Sequence, residues 1–113
     1  MFDGQPQTVE VFTKSDGSQP VNEWLDNLSD TRAVARISAR IVRLELGNPG
    51  DYKSIGGGLY ELRVDYGPGY RVYFAVSGLT IVLLLCGGTK KTQQADIDTA
   101  EDYWASYKKR NNL

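Results

Sequence analysis

The sequence predicts an α+β fold, in which an antiparallel β-sheet packs against two N-terminal helices and a third helix ends the chain. One alternating strand pattern is followed by two stretches with helical spacing, and then by strand patterns joined through short glycine turns. Short turns favour an antiparallel meander, and the helical pair can cover one face of it. The 113 residues are 41% hydrophobic, enough for one core but not two, so we expect a single domain spanning 1–113.

The first strand and the first helix have simple signals. Residues 8–12 alternate and are rich in β-branched and aromatic side chains, so they predict a strand that the turn-rich residues 14–18 end. Proline is tolerated in the first turn of a helix, so a helix can begin at Pro20. Apolar residues follow it at helical spacing, which predicts a short helix through about Asn27 or Leu28.

A longer second helix follows. Ser29 or Asp30 is a suitable N-cap, and the segment 47–50, Gly-Asn-Pro-Gly, is a strong stop signal. The spacing between them predicts a helix over 31–46. Its apolar positions recur every three or four residues: Val34, Ile37, Ile41 and Leu44.

The second half of the chain predicts three strands and a helix. Residues 59–65 and 70–76 alternate on either side of a Gly-Pro-Gly turn, and residues 80–86 are apolar on both faces. A strand of the last kind belongs inside a sheet, and the glycines after it are expected to end it. Thr92 or Gln93 then begins a helix with one apolar stripe, formed by Ile97, Ala100, Trp104 and Tyr107.

Composition excludes several classes of function. The formal net charge is −1, so bulk attraction to nucleic acid is not expected and any basic site must be local. Without histidine, and with Cys86 as the single cysteine, the chain lacks the usual catalytic triads, the common zinc sites and an internal disulfide. We expect no metal or cofactor, and we expect Cys86 to be a small buried apolar residue. The sequence shows no targeting segment or membrane span, which predicts a cytoplasmic protein.

The candidate functional residues are basic and aromatic. Side chains alternate across a strand, so Arg63 lies on the polar face of its strand, and Arg71, which shares a face with Tyr73 and Ala75, can stand beside it if the register allows. Arginine binds phosphate through two hydrogen bonds, lysine supplies a point charge and tyrosine can stack on a base or move a proton. The other candidates are Lys90, Lys91, Tyr60, Tyr66, Tyr70 and Tyr73.

Simpler interpretations remain open for several of these residues. Tyr60, Tyr70 and Phe74 are also what a packed core requires, and the two arginines could form ordinary ion pairs with Glu61 and Asp65. The second helix carries a stripe of arginines opposite its apolar face. That stripe is either a solvated surface or a dock for an acidic segment of a partner. It consists of Arg32, Arg36, Arg40 and Arg43.

The combined motifs resemble the RelE/ParE superfamily of type II toxins, and more narrowly the HigB-like branch of addiction module killer proteins. The similarity extends from Val9 to Lys108. It rests on spacing rather than on any single piece. The pieces are Leu-Tyr-Glu-Leu-Arg at 59–63, Gly-Tyr-Arg-Val-Tyr-Phe at 69–74, Leu-Leu-Leu-Cys-Gly-Gly-Thr-Lys-Lys at 83–91 and Tyr-Trp at 103–104.

The resemblance implies a metal-independent endoribonuclease that cuts messenger RNA on the ribosome. It also implies a co-expressed antitoxin, in this branch usually a helix-turn-helix protein of the HigA type. This chain is then expected either as a homodimer or in a heterotetramer with the antitoxin. By position, the catalytic candidates are Arg63, Arg71, Lys90 and Lys91, and the RNA-binding candidates are Tyr66, Tyr73 and Glu61.

The chain departs from the RelE pattern at two places. Glu61 stands where those nucleases tend to be basic, and Asp96 or Ile97 stands where some of them place a catalytic tyrosine. The general base is therefore open, with a carboxylate as one option. Two other functions also stay open: a ParE-like inhibitor of DNA gyrase, and a non-catalytic member that only binds its antitoxin.

Overall fold

The computed structural model describes residues 2–79 and 81–113. In that part of the chain five strands and three α-helices follow one another in the order β-α-α-β-β-β-β-α. None of these helices has both the length and the apolar character needed to cross a membrane. The elements are β1 (Thr8–Val11), α1 (Pro20–Asn27), α2 (Thr31–Glu45), β2 (Tyr52–Gly56), β3 (Leu59–Val64), β4 (Tyr70–Ser77), β5 (Ile81–Thr89), a 3₁₀ turn (Lys90–Thr92) and α3 (Gln93–Arg110).

The strands form one mixed sheet in the order β1-β5-β4-β3-β2. Strands β2 to β5 pair antiparallel with one another, whereas β1 lies parallel to β5. The α+β class is confirmed, but the prediction of an entirely antiparallel sheet is wrong at this edge. Two helices and three strands separate β1 from β5 in the chain, and so long a crossover permits the parallel pairing that a short hairpin forbids.

Two strand assignments differ from the prediction. The edge strand β2 was not predicted, because most of its residues are exposed and it carries little hydrophobic pattern. Strand β5 continues through Gly87 and Gly88 to Thr89 rather than ending at them. Its interior position, between β1 and β4, is confirmed. Thr80, predicted to open this strand, lies outside the described residues.

Helices cover both faces of the sheet. The predicted packing of α1 and α2 on one face is confirmed, and α3 covers the other face. The α1/α2 side buries Val21, Ala33, Ile37, Leu44, Leu62, Val64, Val72, Phe74, Val82 and Leu84, among others. The α3 side buries Phe12, Leu59, Tyr73, Ala75, Leu83, Leu85, Cys86, Ala100 and Trp104.

A β-bulge interrupts the pairing of β4 with β5. Tyr73 pairs with Cys86 and the next residue, Phe74, pairs with Leu84, which leaves Leu85 as the extra residue. Leu85 and Cys86 consequently both face the α3 side, although they are adjacent in the chain. The bulge therefore changes the phase of β5 just before the strand reaches its glycines.

The two glycines at the end of β5 let two helices approach the sheet closely. A Cβ atom at Gly87 would collide with the ring of Trp24 on α1. A Cβ atom at Gly88, on the opposite face, would collide with the carboxylate of Asp96 on α3. Glycine is required at both positions because each faces a different helix at contact distance.

The start of α2 is capped by Asp30. Its carboxylate accepts hydrogen bonds from the backbone N–H groups of Arg32 at 3.0 Å and Ala33 at 3.2 Å. Of the two predicted N-caps, Asp30 is therefore confirmed, and Ser29 is not the cap. These bonds satisfy N–H groups that have no partner within the helix.

We expect Asp30→Ala to lower the free energy of unfolding by about 1 kcal/mol, because both capping hydrogen bonds are lost. Urea denaturation followed by circular dichroism measures this change. Ser29→Ala is the matched control and should leave the midpoint unchanged. Equal losses for the two variants would contradict the assignment of the cap.

Candidate functional site

The two candidate arginines lie directly opposite each other. Arg63 on β3 pairs in register with Arg71 on β4, on the face that α3 covers. The prediction that they stand side by side is therefore confirmed. Like charges in this arrangement repel, so nearby acids or a bound anion must compensate them.

A depression opens on this face at the ends of β3 and β4. The Gly67–Gly69 turn forms its rim, and the backbone N–H of Lys90 donates to the carbonyl of Gly69 at 2.8 Å. This bond places Lys90 beside the two arginines. The depression has a volume of about 490 Å³ and is lined by Asp51, Arg63, Asp65, the turn residues, Arg71 and Lys90.

Arg63 is paired with Asp51, a residue that the sequence analysis did not single out. The carboxylate Oδ1 accepts from Nη2 at 2.7 Å and from Nε at 3.1 Å. The Arg63 side chain is 35% exposed and that of Asp51 is 53% exposed. Arg63 thus forms an ion pair, the simpler alternative that the sequence left open, but its partner is Asp51, which precedes β2, and not Asp65.

Arg71 is paired with Glu61 on the inner side of the depression. Nε of Arg71 lies 3.5 Å from Oε1 of Glu61, and both side chains are largely buried. The other carboxylate oxygen, Oε2, accepts from the side-chain N–H of Gln93 at 2.6 Å. Gln93 begins α3, so this carboxylate connects β3, β4 and the last helix.

Direct contact with RNA, as predicted for Tyr73 and Glu61, is not available in this structure. Tyr73 is fully buried and Glu61 is 1% exposed. The two residues form a cross-strand pair beneath α3. The alternating pattern correctly assigned their face of the sheet, but it did not reveal that α3 covers that face.

The environment of the Tyr73 hydroxyl is apolar and negative. Burial first, and then the charge of Glu61, raises the pKa of Tyr73 above its ordinary value. No hydrogen-bond partner for this hydroxyl is found among the described residues. Tyr73 is therefore a core residue that stays protonated at neutral pH.

The remaining predicted site residues lie outside the depression. Lys91 is exposed but does not line it. Tyr66 lies on the other side of the turn, where the guanidinium of Arg36 stacks on its ring at 4.6 Å from the ring centroid. The structure thus brings together Arg63, Arg71 and Lys90 and leaves these two residues apart.

A second, cationic groove adjoins the depression. It lies between α2 and the end of β3 and has a volume of about 380 Å³. Arg40 is fixed there because its guanidinium donates to the carbonyl oxygens of Pro49, Asp51 and Arg63. We call this surface the α2 groove; it is lined by Arg36, Ala39, Arg40, Arg43, Val64, Asp65 and Tyr66.

The α2 groove has an excess of positive charge. Burial, followed by the charge of Arg43, lowers the pKa of Arg40 from its ordinary value. Of the described residues, only Arg63 and Arg71 form side-chain ion pairs, so none of the α2 arginines is neutralised in this way. The arginine stripe is therefore not only a solvated face, because the side chain of Arg40 is held in place by backbone carbonyl groups.

Cys86 is buried, as predicted, and is not part of the depression. Its thiol donates to the carbonyl oxygen of Asp96 at 3.5 Å. Burial raises the pKa of Cys86 to about 12. A thiol that remains protonated at neutral pH is a poor nucleophile, so Cys86 is a structural residue.

The chemistry that this arrangement supports is anion binding at a fixed position. Arg63, Arg71 and Lys90 line an open depression, and two exposed carboxylates, Asp51 and Asp65, line it too. Across residues 2–79 and 81–113, no group of three His, Cys, Asp or Glu side chains is placed so that it could hold a metal ion.

Comparison with known proteins assigns the chain to a family. Residues 23–104 match the family described as "Phage derived protein Gp49-like (DUF891)". The chain belongs to the Gp49-like family. This is a family of addiction module killer proteins, that is, of RelE/HigB-like type II toxins, and such toxins generally pair with an antitoxin.

A relative of this Gp49-like chain occurs in Haemophilus influenzae. The two sequences are 51% identical over 80 residues, which cover 71% of this chain and 81% of the relative. That relative is described as an uncharacterized protein. The resemblance to toxins is confirmed at the level of the family by the match over residues 23–104, and not by this relative.

Sequence reasoning missed three residues of the site in this Gp49-like chain. Asp51 precedes an exposed edge strand that carries little pattern, and Gln93 was noted only as a possible helix start. The sequence pattern indicates Gly88 only as a strand breaker, whereas in the structure it is the place where Asp96 approaches β5. A glycine pair after an apolar strand is the one signal that could have indicated a close helix.

We expect Tyr73→Phe to leave the free energy of unfolding at pH 7 unchanged or to raise it by up to about 1 kcal/mol, because an unpaired buried hydroxyl is removed. The folded chain holds the Tyr73 proton more tightly than the unfolded chain does. The protonated Tyr73 hydroxyl therefore makes its full contribution to the free energy of unfolding below about pH 10, and this contribution is lost as the pH rises further.

Urea denaturation at neutral and alkaline pH tests both statements. The fall in stability above about pH 10 should be shallower in Tyr73→Phe than in the unaltered chain, by up to about 1.4 kcal/mol per pH unit. Tyr103→Phe, a change at a half-buried tyrosine of α3, is the control. A loss of several kcal/mol at pH 7 would instead show that the Tyr73 hydroxyl has a partner.

Proposed function

We propose that this chain is a HigB-like toxin that cleaves messenger RNA on the ribosome in the cytoplasm and is neutralised by a cognate helix-turn-helix antitoxin. One observation carries the proposal. Arg63 and Arg71 stand in register beside Lys90, around an open depression on a rigid sheet. Cations fixed in advance around one phosphate are what cleavage without a metal requires.

The reaction is a transfer of the phosphoryl group within the RNA. The 2′-oxygen attacks the adjacent phosphorus, the bond from phosphorus to the 5′-oxygen breaks, and a cyclic 2′,3′-phosphate and a 5′-hydroxyl result. Arg63 and Arg71 bind the non-bridging oxygens, where negative charge accumulates in the transition state. Lys90 donates a proton to the leaving 5′-oxygen.

A carboxylate accepts the proton of the 2′-hydroxyl in this scheme. Asp65 lines the depression, is exposed, and forms no ion pair with the described residues. Asp51 lines it too but is engaged by Arg63. We therefore assign the role of general base to Asp65, in a chain that contains no histidine.

The ion pair of Arg63 does not prevent phosphate binding. Both members are substantially exposed, and pairs of this kind contribute about 0–1 kcal/mol to stability. A phosphodiester can displace this carboxylate, because it offers the planar arginine group two oxygens, whereas Asp51 accepts through one oxygen only.

We expect Arg63→Ala and Arg71→Lys each to slow ribosome-dependent cleavage by at least about 100-fold, because a pre-positioned donor to the transition state is lost. Arg71→Lys is preferred to Arg71→Ala because it keeps a cation next to buried Glu61. Cleavage is measured by mapping the ends of transcripts in a purified translation reaction.

The control is Arg32→Ala, an exposed arginine on α2 that lines neither the depression nor the α2 groove. It should cleave like the unaltered chain. Intact messages together with broken chromosomes would favour inhibition of gyrase, and growth without any arrest would favour a member that only binds its antitoxin. Either outcome contradicts the nuclease proposal.

We further propose that an acidic segment of the antitoxin binds the α2 groove. Its arginines form no ion pairs with the described side chains, although the chain as a whole has a net charge of −1. Arg36 and Arg43 are exposed and line the groove, about one helical turn before and after anchored Arg40. Complementary charge is the feature that speeds and orients such an association.

We expect the double variant Arg36→Glu, Arg43→Glu to weaken antitoxin binding by at least about tenfold, since like charges placed across an interface repel. Titration calorimetry at low and high salt measures the affinity. The control is the double variant Lys14→Glu, Lys109→Glu, which changes net charge equally at exposed positions elsewhere. Equal weakening by the two variants would exclude the α2 groove as the dock.

A further inference from the structure

Glu61 is buried and is not accessible to RNA. Among residues 2–79 and 81–113 it is the one charged residue that is buried, with 1% of its surface exposed. A buried carboxylate is costly unless its oxygens have partners. The partners of Glu61 are Arg71 and Gln93, one for each oxygen.

Arg71 has few other contacts to fix its orientation. Its buried Nε atom has no aligned hydrogen bond, and Nη1 lies 3.5 Å from the carbonyl oxygen of Tyr70, at the limit of such a bond. Glu61, 3.5 Å from Nε, is therefore the nearest charged partner of the guanidinium. It lies at the inner end of Arg71, and Nη1 lies toward Gly69 at the rim.

Gln93 connects the same carboxylate to the turn that carries Lys90. The 3₁₀ turn ends where α3 begins, and Gln93 is the first residue of that helix. The hydrogen bond of 2.6 Å from Gln93 to Glu61 consequently fixes the end of this turn to β3. The carboxylate thus lies between Arg71 and the segment that carries Lys90.

We infer that Glu61 is a positioning residue for the cleavage site, which holds the Arg71 guanidinium in its phosphate-binding orientation and does not itself contact RNA. The inference rests on the proposed nuclease function. It also gives a physical role to an acidic residue at a position where the resemblance to RelE leads one to expect a basic one. The role requires the charge of Glu61 and not only its volume.

Glu61→Gln separates charge from volume, because glutamine has nearly the same shape and can still accept the hydrogen bond from Gln93. We expect the cleavage rate at saturating toxin to fall about 10- to 100-fold, the size of effect that a misplacement near 1 Å produces. The toxin concentration at half-saturation should change by less than about threefold. The control is Glu10→Gln, an exposed acid on edge strand β1.

A double variant tests whether Glu61 acts through Arg71. If it does, Glu61→Gln combined with Arg71→Lys should cleave about as slowly as Arg71→Lys alone, because residues that act as a unit are not additive. A purely structural Glu61 would give losses that multiply. Multiplied losses, or an unchanged rate in Glu61→Gln, would overturn the inference.

A measurement without RNA keeps this inference distinct from the nuclease proposal. In the folded chain the Nε–H of Arg71 should give a resolved nitrogen-15 resonance that exchanges slowly with water, and Glu61→Gln should speed that exchange at least about tenfold. If Glu61→Gln does not fold, Gln93→Ala is the second variant and should have a smaller effect in the same direction. Unchanged exchange in the folded variant would overturn the positioning role even if cleavage is confirmed.

Discussion

The structure of the site depends on two arginines placed opposite each other on adjacent strands. Arg63 and Arg71 have a fixed register in a sheet covered by helices on both faces, so their charges cannot separate by sliding the strands. The repulsion is relieved at opposite ends, by Asp51 on the exposed side and by Glu61 on the buried side. A charge-compensated row results, and the depression beside it is open to a further anion.

The packing of α3 determines which of these acids is accessible. Gly88 admits the carboxylate of Asp96, and Gln93 then reaches Glu61, so the first turns of α3 seal the inner end of the row. Asp51 precedes an edge strand and remains exposed. The two carboxylates, Asp51 and Glu61, are chemically similar but differ in their exposure to solvent. Under the proposed function, the exposed carboxylate is displaced by phosphate, whereas the buried one orients its arginine.

Local pattern was sufficient for most of the fold but not for the composition of the site. Alternation assigned Arg63 and Arg71 to one face, and helical spacing located all three helices, because both depend on residues near in sequence. The parallel pairing of β1, the edge strand β2 and the partner of Arg63 depend on contacts between distant segments. The burial of Tyr73 also depends on a contact between distant segments, because α3 covers the face of the sheet on which Tyr73 lies.

A net charge of −1 does not describe the local charge of this surface, because the α2 groove carries three arginines and one carboxylate. The cations of the depression adjoin the α2 groove, where Arg40 is anchored by three backbone carbonyl groups. Charges separated by more than about 8–10 Å in physiological salt are largely screened. Under the proposed function, an RNA phosphate at the depression therefore responds to the charged groups near it and not to the total charge of the chain.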